Sequence, residues 1–304
     1  MNYAPQIFLD SGAFSAFSQG QPIDVNNYTR FLKRYQHLVD RYASLDVIPG
    51  TDGQRTADPG RREAAAKQSY RNHQIMKDAG LSPIPVVHHD DRLCWLERYL
   101  KDGEPYIGLS PIKRSLHDAI RFLDAAFGLM KDGSGRTTVK THGFGVTTAL
   151  LCKEYPWTSV DSATWLKAAG TGQILVPIYV DDAPDYSLRP RNISISDRSN
   201  PRQNHVSWLP KVELEELGRF LKEKVGVELA EARKDVTARW RTNVTYFKGL
   251  EASLGAQVFF VSGLGKKMRQ TLLQCGARCH LLSYYLLQSR ADALEKYVET
   301  EDEA

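Results

Sequence analysis

The chain alternates short apolar segments with longer segments of helical periodicity, and this alternation restricts the folds open to it. Six or seven such units follow one another between residues 7 and 180, joined by short connections. Parallel strands need a long crossover between them, and a helix is the usual crossover. The pattern is therefore typical of an α/β fold with a parallel sheet. In a single domain of 304 residues it favours a (β/α)8 TIM-like barrel.

The predicted strands are apolar runs that end in polar residues or turns. They are 7–9, 44–50, 83–88, 106–109, 138–142, 158–161, 174–180 and, further along, 257–261. Helices are predicted between them, with Asp24 and Asp58 as N-caps of the first two long ones. A doubly wound open sheet is the alternative fold. No Gly-x-Gly-x-x-Gly follows the first strand, however, which disfavours a dinucleotide-binding fold.

The character of the sequence changes after residue 180. Residues 181–205 are rich in Pro, Asn, Asp, Ser and Arg, which predicts an irregular insertion or hairpin on the barrel surface. A helical region is predicted at 211–254, and a last helix at 268–298 makes the C-terminal region helical. We therefore expect one barrel domain over residues 1–304, in which 181–256 form an insertion and helical subregion facing nucleic acid.

The composition is that of an ordinary globular protein, with 42% hydrophobic and 25% charged residues. No apolar run approaches the ~20 residues that a membrane span needs. The N-terminus lacks a basic segment followed by an apolar one, so we expect no secretory signal. Four unevenly spaced cysteines favour a reducing compartment over a disulfide framework. We therefore expect a cytoplasmic protein without a membrane partner.

The charge distribution predicts a polyanionic partner. The net charge of +4 includes an acidic tail at 299–303, so the rest of the chain is more basic than the total. The candidate nucleic-acid contacts are Arg189, Arg191, Arg198, Arg202, Lys266 and Lys267. The two lysines follow a Gly-Leu-Gly loop at 263–265, where a helix N-terminus suits backbone phosphate. A solvated charge pair explains these lysines equally well.

Polar residues stand where the predicted strands end. They are Asp10, Asp46, His88, Gly108, His142, Gly143 and Asp161. The carboxyl ends of barrel strands surround the active site, so these residues predict one polar pocket. Paired carboxylates suit chemistry at an acetal-like carbon, where one attacks or stabilises the centre and the other moves a proton.

Two clusters also permit a metal site. Residues 88–91 are His-His-Asp-Asp, but adjacent strand residues point to opposite faces, so both histidines rarely bind one ion. Cys275, Cys279 and His280 lie on one predicted helix, where the two cysteines share a face. A fourth zinc ligand is not evident there, and we predict no catalytic metal.

Both Asp motifs resemble those of the tRNA-guanine transglycosylase superfamily. Residues 10–14 (Asp-Ser-Gly-Ala-Phe) are similar to the family's Asp-Ser-Gly-Gly-Phe-Gln motif, with Ala13 and Ser15 departing from it. Residues 159–162 (Ser-Val-Asp-Ser) are similar to the strand that carries the nucleophilic aspartate. Segments 45–47, 106–109 and 142–146 follow in the order of the base-recognition strands, and the resemblance covers about residues 7–180.

Within the superfamily, the chain most resembles the phage-type 7-deazaguanine DNA transglycosylases, the DpdA branch. It is shorter than a typical tRNA enzyme, and residues 181–205 contain no cysteine where the tRNA enzymes carry a zinc site. The resemblance implies a (β/α)8 barrel that exchanges guanine in DNA for a 7-deazaguanine such as preQ0, in the host cytoplasm during infection. The same exchange on tRNA and a non-catalytic nucleic-acid-binding subunit are the alternatives.

The resemblance also implies residue roles. Asp161 would attack C1′ of a deoxyguanosine and hold the sugar covalently, while Asp10 would deprotonate the incoming base. Asp46 would bind the guanine-like edge. The full set implied at the base is Asp46, Phe14, His88, Gly108, His142 and Gly143. No cofactor is expected, because one glycosidic bond is exchanged for another.

Overall fold

The computed structural model describes residues 5–51, 53–111, 115–197 and 204–299. Its strands are β1 (Gln6–Asp10), β2 (Arg41–Tyr42), β3 (Gly50–Thr51), β4 (Gln54–Arg55), β5 (Val86–His88), β6 (Tyr106–Ser110), β7 (Lys140–Gly143), β8 (Ser159–Ser162), β9 (Gln173–Val176), β10 (Ile178–Val180), β11 (Ala183–Asp185), β12 (Arg191–Ser194), β13 (Gln257–Val261) and β14 (Cys279–Ser283). Its α-helices are α1 (Ala13–Ser18), α2 (Val25–Tyr35), α3 (Pro59–Asp78), α4 (Cys94–Lys101), α5 (Leu116–Met130), α6 (Ala149–Glu154), α7 (Thr164–Gly170), α8 (Lys211–Arg219), α9 (Leu229–Lys234), α10 (Val236–Leu254), α11 (Lys266–Gln274), α12 (Tyr284–Leu287) and α13 (Asp292–Glu299).

Eight of the strands form one curled sheet in which every neighbouring pair is parallel. Their order is β2-β1-β14-β13-β8-β7-β6-β5. The α/β class with a parallel sheet and crossover helices is thereby confirmed. An isolated parallel bridge also joins Ala43, next to β2, to Ile84, two residues before β5. There the Ile84 N–H donates to the Tyr42 carbonyl at 2.9 Å and the Ser44 N–H to the Ile84 carbonyl at 2.7 Å.

Both faces of this sheet are buried. Ile7 and Leu9 of β1 pack against the helix side, in a cluster with Tyr28 of α2. Phe8, between them, belongs to a second cluster with Phe259 on the concave side. Since strand residues alternate between faces, Asp10 shares the concave side with Phe8. Asp161 is the register partner of Phe259, so it faces the same side.

Capping side chains begin the first two long helices as predicted. The Asp24 carboxylate accepts from the Asn27 N–H at 2.8 Å, and the Asp58 carboxylate accepts from the Arg61 N–H at 2.7 Å. Pro59, which has no N–H to lose, is the first residue of α3.

Two of the predicted strands are wrong. Segment 174–180 does not enter the eight-stranded sheet, because β9 pairs antiparallel with β12 and β10 with β11. The second strand lies at Arg41–Tyr42 rather than at 44–50. Asp46 therefore stands in the loop after β2. Both segments are apolar and short, and such runs do not reveal which partner strand they will find.

The predicted last helix, 268–298, is also wrong. The chain forms α11, then β14, and then α12 and α13. β14 lies between β1 and β13, and its residues Cys279 to Leu282 are all buried. A strand that is buried on both faces has no alternation, so its apolar run was indistinguishable from a helical one.

The segment predicted as an irregular insertion or hairpin, 181–205, begins within a hairpin, since β10 just before it pairs antiparallel with β11, and a helical region follows. Asp181 and Asp182 connect β10 to β11 with φ of 47° and 63°, in the left-handed region that tight hairpin turns use. The predicted helical region is divided into α8, a π-helical segment (Phe220–Val225), α9 and α10.

Within the described ranges, no helix combines the length and apolar character needed to cross a membrane.

Candidate functional site

Three aspartates meet at the edge of the sheet where the parallel strands end. Asp10 closes β1, Asp161 lies in β8, and Asp46 follows β2. The charges of Asp46 and Asp161 both act on the Asp10 carboxyl and raise its pKa. The structure therefore brings together the two predicted catalytic aspartates and the predicted base-binding aspartate.

Asp10 has few partners to stabilise its charge. Its Oδ2 accepts from the Gly12 N–H at 3.3 Å. Burial, followed by the charges of Asp46 and Asp161, raises the pKa of Asp10 to about 7, and the backbone N–H groups offset this only in part. Near neutral pH, Asp10 is therefore able both to accept and to release a proton.

Gly12 fixes the turn that follows Asp10. Its φ of 78° lies in the left-handed region. A Cβ at this position would lie 2.5 Å from the Tyr285 Cβ and 2.8 Å from the Tyr285 backbone nitrogen. The close approach of α12 therefore requires glycine here, independently of any ligand.

Asp46 belongs to a buried, hydrogen-bonded ion pair. Its Oδ1 accepts from the Ser11 hydroxyl at 2.9 Å, and its Oδ2 accepts from His88 Nε2 at 2.7 Å. Burial alone would raise the pKa of Asp46, but the hydrogen bond and charge of His88 outweigh it, so the pKa is lowered. Burial likewise opposes the charge of His88, and Asp46 nevertheless raises the pKa of that imidazole.

His88 has one ring nitrogen without a partner. Its backbone N–H donates to Asp91 Oδ2 at 2.8 Å and its Nε2 binds Asp46. The Nδ1 atom is buried and finds no hydrogen-bond partner in the described part of the chain. An unsatisfied buried donor costs about 1–3 kcal/mol, so a ligand acceptor at Nδ1 would be favourable.

Asp161 is held through one of its two oxygens. Its Oδ2 accepts from the Gly145 N–H at 2.8 Å, and His142 Nε2 lies 3.4 Å from the same oxygen. Among the described residues, no hydrogen bond is made to Oδ1. A nucleophilic carboxylate needs an oxygen that is free to approach the reacting carbon, and Oδ1 meets that need.

His142 is enclosed on the concave side of the sheet. It is 0% exposed, and its ring lies 4.5 Å from the ring of Phe8 and 4.5 Å from that of Phe144. Its Nδ1 lies 2.7 Å from the Ser159 hydroxyl, which lies 2.6 Å from the Tyr106 hydroxyl. Burial lowers the pKa of His142, so the imidazole is neutral at pH 7.

Of the remaining predicted base-binding residues, Gly108 and Gly143 face space that other side chains occupy, whereas Phe14 is exposed. A Cβ at Gly108 would lie 2.5 Å from the Phe144 ring, and one at Gly143 would lie 2.7 Å from Val146 Cγ2. Side chains of the protein thus fill the space beside both glycines. Phe14, on α1, is 57% exposed.

A cavity of about 390 Å³ opens beside Asp46. Its wall is mostly apolar, and its lining includes Ala13, Phe17, Ile23, Leu45, Asp46 and Ile48. Small-molecule sites have this character, with an apolar wall and few polar groups. Asp10 and Asp161 are not in the wall, although Ala13 begins the helix that follows Asp10.

The predicted nucleic-acid residues differ in their surroundings. Lys266 and Lys267 are exposed in the first turn of α11, after the carboxyl end of β13. Arg189 is also exposed, whereas Arg191 pairs with Glu216 and lies 3.4 Å from Glu213. Arg198 and Arg202 lie outside the described residues.

The structure also separates the candidate metal ligands. Cys275 follows α11, whereas Cys279 and His280 lie in β14, so the prediction that the cysteines share a helix face is wrong. His88 pairs with Asp46, and His89 lies 2.9 Å from Asp90. Over the described ranges, no three His, Cys, Asp or Glu side chains converge as a metal site requires.

Four residues lie in segments that carry the resemblance but were not predicted as site residues: Ser11, Tyr106, Gly145 and Ser159. Ser159 had a signal, because it stands two residues before Asp161 and a strand places such residues on one face. The other three depend on contacts between distant segments.

No protein-family model matches the chain, and no curated protein matches its sequence at a significant level.

Proposed function

We propose that the protein is a transglycosylase that replaces guanine in DNA with a 7-deazaguanine base such as preQ0. One observation carries the proposal: Asp10 and Asp161 meet at one sheet edge in contrasting environments. Asp161 is oriented through Oδ2, while Asp10 has a pKa raised to about 7. Glycosyl transfer with a covalent intermediate needs one oriented carboxylate and one carboxyl group that moves a proton.

In the first step, Asp161 Oδ1 attacks C1′ of the target deoxyguanosine. The bond between C1′ and the base nitrogen breaks, its electron pair goes to the base, and protonated Asp10 supplies the proton with which guanine leaves. In the second step, ionised Asp10 takes the proton from the glycosidic nitrogen of the incoming 7-deazaguanine. That nitrogen attacks C1′ and releases Asp161. A pKa near 7 allows Asp10 to serve in both steps at neutral pH.

The Asp46–His88 pair is proposed to recognise the guanine-like edge. The Asp46 carboxylate is ionised and accepts hydrogen bonds from base N–H groups, in addition to that from Ser11. The unpartnered Nδ1–H of His88 donates to a base carbonyl oxygen. The adjacent apolar cavity suits a flat, uncharged ring.

The wider architecture supports the same proposal. The bridge between Ala43 and Ile84 links the two edge strands, which favours a closed (β/α)8 barrel. Lys266 and Lys267 stand at the carboxyl edge of the sheet, where a helix N-terminus and two cations suit a DNA phosphate. The absence of cysteine at 181–205 favours DNA over tRNA. The target base must leave the stack before C1′ is attacked.

The test is the release of radiolabelled guanine from DNA and from tRNA, with and without preQ0. The variants are Asp161→Ala and, as a matched control, Asp292→Ala, which removes a carboxylate from an exposed ion pair with Lys296. We expect preQ0-dependent release from DNA by the wild type and the control and none by Asp161→Ala. Release from tRNA alone would show that the substrate is tRNA rather than DNA and would leave the proposed base exchange unchanged. No release from either would refute the proposed reaction.

A further inference from the structure

Three adjacent strands place a chain of polar side chains behind the candidate nucleophile. β6 carries Tyr106, β7 carries His142, and β8 carries Ser159 and Asp161. His142 is the register partner of Ser159, and Ser159 shares a strand face with Asp161. The contacts run from Tyr106 to Ser159 (2.6 Å), to His142 (2.7 Å) and to Asp161 (3.4 Å).

The surroundings of this chain exclude water from its centre. His142 and Ser159 are both 0% exposed, and the rings of Phe8, Phe144 and Phe259 surround the imidazole. Buried polar groups in such a site are stable only if each one finds a hydrogen-bond partner in its neighbour. The neutral state of His142, which follows from its burial, leaves the ring with one donor and one acceptor.

The direction of each hydrogen bond follows from counting donors. An ionised Asp161 accepts only, so a favourable contact requires the proton on His142 Nε2. Nδ1 must then accept, which makes Ser159 the donor to it. The Ser159 oxygen in turn accepts from the Tyr106 hydroxyl, which keeps its proton because burial raises its pKa. One arrangement therefore gives both hydroxyls and His142 Nδ1 a partner and points Nε2–H at Asp161 Oδ2, where the contact of 3.4 Å does not complete a hydrogen bond.

We propose that Tyr106, Ser159 and His142 form a positioning relay that holds the His142 Nε2–H tautomer against Asp161 Oδ2. None of the three touches the substrate. This reassigns His142, which is too enclosed to contact a base, from base binding to orientation of the nucleophile. The role of Asp161 as the nucleophile rests on the proposed function. The predicted tautomer of His142 does not depend on that function. The contact of 3.4 Å is expected to shorten in the substrate complex, as catalytic hydrogen bonds often do.

The test is imidazole nitrogen NMR on the full chain labelled with ¹⁵N-histidine. The chain has eight histidines, and the spectrum of His142→Asn assigns the resonance of His142 by its disappearance. We expect the wild type to show the Nε2–H tautomer and Ser159→Ala to show a mixture of both tautomers. Tyr106→Phe, which keeps the ring, is the second variant if Ser159→Ala fails to fold. An Nδ1–H tautomer or a protonated ring in the wild type would overturn the relay, as would an unchanged tautomer in the folded variants.

The matched control is Tyr155→Phe. This change also removes a tyrosine hydroxyl from a buried ring, but the hydroxyl binds the Ile120 carbonyl and Asp124, outside the relay. The control is expected to leave the His142 resonance unchanged. In the exchange assay, Ser159→Ala is expected to lower kcat roughly tenfold with KM unchanged, the loss of about one hydrogen bond. If no nucleic acid supports exchange, the proposed function fails while the NMR result still decides the relay.

Discussion

Asp10 and Asp46 lie at the same edge of the same sheet, yet the protein moves their pKa values in opposite directions. Asp10 has backbone N–H groups as its donors, and its pKa rises to about 7. Asp46 is bound by Ser11 and by His88, and its pKa falls. Burial raises the pKa of both carboxyls, so the difference comes from the partner. Asp10 is thereby suited to proton transfer and Asp46 to a fixed negative charge.

The contrast shows how one residue type serves two purposes within one site. A carboxyl group that must gain and lose a proton needs a pKa near the working pH, and the neighbouring charges of Asp46 and Asp161 help to provide it. A carboxylate that must recognise a donor needs to stay ionised, and His88 ensures this. The ion pair at Asp46 thus both stabilises its own charge and leaves a negative field that acts on Asp10.

The largest expected effect is on the kinetics of base exchange, in which substitutions of Asp10 and Asp46 should change different constants. Asp10→Asn should lower kcat for base exchange by about 10²–10⁴-fold, because the proton-transfer group is lost. Asp46→Asn should mainly raise KM for the incoming base, because a recognition contact is lost. Steady-state exchange kinetics with varied preQ0 measure both. Equal effects of the two substitutions on kcat and on KM would contradict the division of roles.

The next effect concerns the pH dependence of stability. Because the pKa of Asp10 rises from 3.8 to about 7 on folding, its contribution to stability is greatest below pH 3.8 and is lost as the pH rises toward 7. Asp46 behaves oppositely, since its lowered pKa gives stability above pH 3.8 that is lost in acid. His88, with a raised pKa, contributes below pH 6.5 and loses its contribution above it.

Urea unfolding at about pH 4.5 and about pH 6, compared between the wild type and Asp10→Asn, tests Asp10. Other buried groups also titrate in this window, such as His280, whose pKa burial lowers to about 4, but they contribute to both proteins alike. Because protonated Asp10 stabilises the fold only at the lower pH, the change in unfolding free energy on going to the higher pH should be more negative in the wild type than in Asp10→Asn. In Asp46→Asn the contribution of Asp10 should be smaller but still present, because burial is the largest cause of its raised pKa and the charge of Asp46 is the next. An identical pH dependence in the wild type and in Asp10→Asn would show that the pKa of Asp10 is not raised.

The smallest effect tests the second donor to Asp46. Ser11→Ala removes the buried hydroxyl that donates to Oδ1 and should cost about 1 kcal/mol of unfolding free energy at neutral pH. Ser18→Ala is the control, because the Ser18 hydroxyl donates to the Phe14 carbonyl at an exposed position. Thermal unfolding of the two variants provides the comparison. An equal loss in both would mean that Ser11 does not support Asp46.

The sequence predicted the residues that end strands better than it predicted the strands themselves. Asp10, His88 and Asp161 are polar residues directly after or within short apolar runs, and the structure places each at the expected sheet edge. Such positions follow from local pattern, since a buried strand ends where a polar side chain becomes tolerable. This part of the site needed no knowledge of long-range pairing.

The parts that depend on long-range pairing were not predictable from pattern. Segment 279–283 pairs with β1 at the opposite end of the sequence, and nothing within it specifies that partner. Segment 174–180 has the same apolar character but pairs outside the main sheet. The relay behind Asp161 likewise depends on the pairing of three strands. Only Ser159 could be predicted from local sequence, because it stands two residues before Asp161 in one strand.

The position of β14 between β1 and β13 has a consequence for synthesis. β1 leaves the ribosome long before β14 does, because Gln6 and its partner Cys279 are 273 residues apart. Until that partner emerges, one side of β1 and one side of β13 present unpaired backbone groups, which are sites of intermolecular strand association. The nascent chain therefore completes its sheet only after residues 279–283 have emerged, and its most aggregation-prone interval is the one just before they do.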